Sequence, residues 1–174
     1  MPGVNGYTPL WRFMAEIPLY GPRGRGKTVK VDDDIYERYG HLHWQLNKEG
    51  YPYKVFEHKR GVRKQKKLHR LVMEEDDPKQ RIDHISGDRL DARRHNLRRC
   101  TNAENTRNSA KRLGVTTSLH KGVHALMNGL WRASIMVDYT KINLGNYADP
   151  DEAAYVYDQF AITLFGDYAR CNIL

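Results

Sequence analysis

The sequence predicts an α+β protein, and three observations carry that prediction. Short strand-like segments punctuated by glycine fill the first third of the chain, as in "VKV" at Val29 and "HLHWQL" from His41. A hairpin pattern followed by a capped helix lies between Arg81 and Arg112. A tighter set of three strands and one longer helix then runs from His120 to Gly166.

In the first region Leu42, Trp44 and Leu46 alternate with polar residues, the period of a half-buried strand, and "YKVFEH" repeats the pattern after the Gly50 turn. Between the strands, "DDDIYERYG" predicts a short helix whose acidic first turn meets the positive end of the helix dipole. The stretch "KRGVRKQKKLHRLVM" passes from a basic loop into an apolar element that ends before Pro78. Such a loop is either a solvated face or a segment that tracks phosphates.

Next, "RIDHI" reads as a strand, "SGD" as a turn, "NLRRC" as a returning strand and "TNAENTRNSAKR" as a helix. Thr101 and Glu104 have capping-box spacing, which puts Asn105 in the first helical turn. Asn is a poor filler of helix and strand interiors, so its repeated use here at 96, 102, 105 and 108 needs a chemical reason. A hairpin followed by a helix would gather Asp83, His84, Asn96 and Asn105 into one small volume.

"LGVTTSLH" from Leu113 separates two patterns of different character, so the expected domains are 1–112 and 113–174. "HKGVHAL", "LWRASIMVD" and "KINLGNY" predict three antiparallel strands, the first two joined by an Asn128-Gly129 turn. In "LWRASIMV", Trp131, Ala133, Ile135 and Val137 share one face, and Arg132, Ser134 and Met136 the other. The helix has Asp149 as cap, Pro150 at its first position, Glu152 to complete a capping box and Gly166 past its end. Ala153, Val156, Tyr157, Phe160, Ala161 and Leu164 are expected to form its core face.

The formal net charge is +8, dense from Lys54 to Arg70 and from Arg89 to Arg99, which favours a polyanionic partner and above all nucleic acid. Two cysteines without a C-x-x-C pair exclude a disulfide scaffold and a four-cysteine zinc site. His41 and His43 share a strand face and could meet His58 or His69, but no four-ligand pattern is present, so no structural zinc is expected. Without a signal peptide or a membrane-length apolar run, the expectation is a soluble cytoplasmic protein with no membrane partner.

"DHISGDRLDARRHNLR" followed by "NAEN", with "LHRLVM" before it, resembles the HNH endonucleases, particularly the phage and intron-encoded homing type. The resemblance implies a ββα-metal core. His84 is then the general base, Asp83 and Asn105 hold one divalent cation, magnesium with manganese as the alternative, and Asn96 fixes the hairpin and the base. An imidazole suits proton transfer near neutral pH, and oxygen donors suit a hard cation. Asn102 and Asn108 are rival candidates for the metal position, and His95 for the base. The chain departs from the family pattern at Ala92, where an Asn is usual, and at Arg99, where an aromatic is common.

From His120 onward, "KGV", "WRASI", "LGNY", "DEAAYVYD" and "ARCNIL" resemble the ethylene-response-factor (apetala-type) DNA-binding domain. The resemblance implies that Lys121, His124, Arg132, Ser134, Lys141 and Asn143 meet double-stranded DNA through the sheet face. Leu126 and Asn143 stand where the plant pattern has arginine and tryptophan, so the target sequence does not carry over. The function expected is a metal-dependent DNA endonuclease, nicking as a monomer or weak dimer. The alternatives are a non-catalytic transcriptional regulator and an RNA-binding basic protein.

Overall fold

The computed structural model describes residues 15–57, 63–111 and 118–174. The basic loop at 58–62, with His58, and the expected boundary at 112/113 lie outside the described residues. Within them the chain forms β1 (Ala15–Tyr20), β2 (Thr28–Val31), α1 (Asp33–Tyr39), β3 (Trp44–Leu46), β4 (Pro52–Glu57), β5 (Arg63–Lys67) and α2 (Leu68–Val72). There follow β6 (Arg81–His84), β7 (Leu97–Cys100), α3 (Asn102–Asn108), β8 (Val123–Ala125), β9 (Trp131–Val137), β10 (Thr140–Tyr147) and α4 (Pro150–Phe165). The class is mixed α+β, and no helix among the described residues is long and apolar enough to cross a membrane.

Two compact units divide the chain, one of residues 1–77 and 88–98, the other of 78–87 and 99–174. The expected division at 112/113 does not follow these units, because the hairpin-and-helix segment is shared out between them. The reason lies in loop 88–98, whose backbone is stitched to β2: Lys30 N–H donates to Leu90 O (2.8 Å) and Ala92 N–H to Lys30 O (2.9 Å).

The first unit is built on a five-stranded sheet of order β2-β1-β3-β4-β5, with only the β1–β3 pair parallel. Ile17, Val29, Ile35, Trp44 and Leu68 are wholly buried or nearly so, and form its centre. Trp44 satisfies its indole by donating to Tyr39 O (3.0 Å), which closes α1 onto β3. The basic stretch read as a loop is in part a strand: β5 pairs antiparallel with β4 from Tyr53↔Lys67 to Glu57↔Arg63. Among the described residues β5 is an edge strand, a position that tolerates many cations because one side of it is not paired.

The second unit holds β6, the Arg99–Cys100 end of β7, α3, and the three-stranded antiparallel sheet β10-β9-β8 with α4. Val123, Ala133, Ala153 and Ala154 form one core cluster, with Trp131, Leu144 and Tyr147 against it; Ile135, Tyr157 and Ala161 form another. The expected face of α4 is corrected by a rotation. Phe160 and Leu164 are exposed, whereas Ala154 and Asp158 are buried. Asp158 turns inward because it caps three successive backbone amides of the tail, from Asn172, Ile173 and Leu174. Asp149 caps α4 by accepting from Asp151 and Glu152 N–H, so the cap is one-sided rather than a reciprocal box.

Candidate active site

Asp83 and His84 end β6, and both are buried, at 7% and 4% exposure. The turn that follows is tight: Gly87, at φ +79°, donates its N–H to His84 O (2.8 Å). α3 is launched by the predicted capping box, with Glu104 N–H donating to Thr101 Oγ1 (3.2 Å) and Thr101 N–H to Glu104 Oε2 (2.7 Å).

The carboxamide that meets Asp83 is that of Asn108. Its Nδ2 donates to Asp83 Oδ2 (2.9 Å), His84 O (2.9 Å) and, longer, Ile85 O (3.3 Å). Three surrounding oxygens, one of them a carboxylate's, fix which way the amide faces: the nitrogen must point at them. One buried side chain thereby fastens α3 to the Asp83-His84 end of β6. Asn105 is partly exposed and engages through its backbone, its N–H donating to Thr101 O (3.0 Å) and its carbonyl accepting from Ser109 Oγ (2.8 Å). Residues three apart share a helix face, so Asn105 lies one turn before Asn108 on the side of α3 that looks toward β6. Asn102, the other rival, is tied to Arg81, whose Nε donates to Asn102 Oδ1 (2.8 Å).

Asn96 belongs to the first unit, 4% exposed, and its Nδ2 donates to Asp91 O (2.8 Å). Asp91 itself is gripped by Arg93 through both carboxylate oxygens, and that guanidinium holds it below the usual carboxylate range. Ala92, the departure from the family pattern, is 1% exposed. Its methyl group is core, which accounts for the small apolar residue there. His95 is exposed in the same loop, and His69 is buried on α2 against the Tyr51 ring (5.0 Å).

Of the residues expected at DNA, His124, Lys141 and Asn143 are exposed and Arg132 is partly so, on one face of the β8–β9–β10 sheet where His124↔Arg132 and Asn143↔Ser134 are cross-strand partners. Burial lowers the His124 pKa, and the charges of Lys141, Lys111 and Arg132 lower it further, marking the face as electropositive. Two of these residues are placed differently from the rest. Ser134 is only 5% exposed. Lys121 turns its ammonium away from the face and into backbone carbonyls, to Arg107 O (2.5 Å) and Ser109 O (2.8 Å). Neither placement is marked in sequence, because both depend on residues distant along the chain.

No group of three or more His, Cys, Asp or Glu that could hold a metal occurs among the described residues. Around Asp83 the oxygen donors on offer are its own carboxylate and the side-chain amides of α3, a hard donor type that suits a divalent cation of the magnesium class.

Residues 66–107 match the HNH endonuclease family, a segment running from the end of β5 into α3 and ending one residue before Asn108. The chain is 28% identical over 151 residues to an uncharacterized HNH endonuclease of Acanthamoeba polyphaga mimivirus, covering 86% of this chain and 77% of the viral protein. No solved structure matches.

Proposed function

We propose that this chain, an HNH-type DNA endonuclease by the domain it carries at 66–107, hydrolyses one strand of duplex DNA at a centre made of Asp83, His84 and Asn105. The observation that supports the centre best is the Asn108 amide, which seats α3 against the carboxylate of Asp83 and the backbone of His84. His84 takes a proton from the attacking water as the phosphodiester is cut. Asp83 and Asn105 would hold a divalent cation, magnesium or manganese. When bound, that cation supplies charge compensation for the pentacovalent phosphate and the leaving oxygen.

Between Asn105 and Asn108, the atom that faces the carboxylate supports Asn105 as the ligand. Asn108 presents its nitrogen, a donor, so it holds Asp83 in place and cannot share a cation with it through that atom. Asn105, on the same helix face and partly open to solvent, has its amide oxygen available for the ligand role. Asn96 fastens the loop between the motif's halves through its bond to Asp91. The sheet face bearing His124, Arg132, Lys141 and Asn143 meets the duplex, where Arg and Asn can read base edges and Lys can hold phosphate.

A supercoiled plasmid incubated with the protein tests the reading. Magnesium should convert it to the open circular form, and chelation should stop that conversion. His84→Ala should slow the cut by about 10²–10⁴-fold, the contribution of a positioned base, with DNA affinity unchanged. A variant that cuts at the wild-type rate removes His84 from the mechanism.

A further inference from the structure

α3 is two turns long, too short to hold itself together, and its two ends are treated differently. The first has its capping box. The last ends at Ser109 in an extended conformation (φ −68°, ψ 136°), with no glycine in the left-handed region to turn the chain back onto the final carbonyls. Those carbonyls are met from elsewhere in the sequence. Lys121 Nζ lies 2.5 Å from Arg107 O, 2.8 Å from Ser109 O and 3.5 Å from Thr106 O.

Lys121 is in turn held by the end of the chain. Its N–H donates to Asn172 Oδ1 (2.6 Å) and its carbonyl accepts from Asn172 Nδ2 (3.1 Å). Asn172 is fixed by Asp158 of α4, 0% exposed, which accepts from Asn172 N–H (2.8 Å to each oxygen) and Nδ2 (3.0 Å). The tail makes a second attachment, Arg170 Nη1 donating to Ser86 O (2.9 Å) in the turn just after His84. Gly122, beside Lys121, permits the close fit: a Cβ there would sit 2.1 Å from Tyr157 Cδ2.

We propose that Lys121 is a positioning residue of the nuclease centre, a cationic cap that the carboxy-terminal segment supplies to the end of α3 and that keeps Asn105 and Asn108 set against Asp83. This rests on the assignment of Asp83, His84 and Asn105 as that centre. A cation at a helix C-terminus is favoured by the dipole as well as by its hydrogen bonds. Burial lowers Lys121 to about 8, so the ammonium stays largely charged at neutral pH. The segment resembling a DNA-binding domain is on this account part of the cutting machinery and not only a tether.

The test is Lys121→Met, which keeps the stem and removes the ammonium, in the full-length protein with supercoiled plasmid and magnesium. A misplacement of about 1 Å is worth up to 10²-fold, so kcat should fall about 10- to 100-fold while KM and DNA affinity stay within about two-fold. Amide hydrogen exchange at 105–109 should quicken by roughly ten-fold or more, and Lys121→Arg, which can donate to the same carbonyls, should recover part of both losses. A Lys121→Met protein that keeps wild-type kcat overturns the proposal, and so does one that loses DNA affinity with α3 protection intact, which would make Lys121 a DNA contact. Should Lys121→Met not fold, Lys121→Gln, which retains one amide donor, decides by the same readouts. If the wild-type protein itself fails to cut, the nuclease assignment falls, while exchange in α3 still decides whether Lys121 caps it.

Discussion

Asn108 illustrates how much one side chain can be asked to do. Its amide answers three oxygens at once, on Asp83, His84 and Ile85. Asn108→Ala leaves those acceptors without it, in a buried place, at a cost of about 1–3 kcal/mol. The thermal midpoint should fall accordingly, and single-turnover cleavage should fall with it. Asn108→Asp should be worse than Ala, because it sets a second carboxylate against Asp83, and its deficit in rate should narrow as acid protonates one of the two. Gly122→Ala tests the close fit at this turn: a Cβ driven into the Tyr157 ring at φ +77° should cost roughly 2–4 kcal/mol in urea unfolding, from overpacking and backbone strain together. The roles of these residues differ in how visible they are in sequence. Asp83, His84 and Asn105 stand out by type and spacing. The task of Asn108 is hidden, because amides at 102, 105 and 108 look alike until it is known which nitrogen has a carboxylate in front of it.

Elements announced by end signals were the most legible. The Thr101–Glu104 box and the Asp149-Pro150 start fix α3 and α4 at the expected places, because those signals act through bonds a few residues apart. What depends on distant residues was not readable. β5 looks like a basic loop until β4 is there to pair with it, and α4 shows a different face because its Asp158 is needed by the tail. The hairpin between β9 and β10 is another such case. Asp138 and Tyr139 both adopt positive φ, 45° and 64°, where Asn-Gly would be usual, and tyrosine gives no hint of it. The sheet face yields a pH prediction. His124 has a folded pKa below its ordinary 6.5, so as pH falls below that value the unfolded chain takes up the proton first and native stability declines. Once the pH passes below the folded pKa the decline from this residue ends. His124→Gln should flatten that part of the stability curve between pH 7 and 5, measured by thermal unfolding in buffers of fixed ionic strength.

At the scale of the molecule, the division into units runs through the motif itself, with Asp83, His84 and α3 in the same unit as the last sheet and helix. A sequence boundary drawn at 112/113 follows a change of composition, and composition does not report which pieces of a chain share hydrogen bonds. The two divisions predict different behaviour for a fragment of residues 1–112. If the carboxy-terminal segment only raised the local concentration of a self-sufficient cutter, the fragment would lose affinity yet reach the full rate once DNA was saturating. The fragment instead lacks the Lys121 cap on α3, the Arg170 bond to Ser86 and the bond from Tyr168 to Arg99 O, all of them made by residues beyond the cut. Its α3 would keep a cap at one end only, and a helix of that length has little stability of its own. Saturating DNA should therefore not restore the rate: we expect kcat of the fragment to remain at least about ten-fold below that of the whole chain, in line with the usual sensitivity of catalysis to small misplacements. Cleavage measured against rising plasmid concentration separates the outcomes, since a fragment that climbs to the full-length plateau would return the carboxy-terminal segment to the role of a tether.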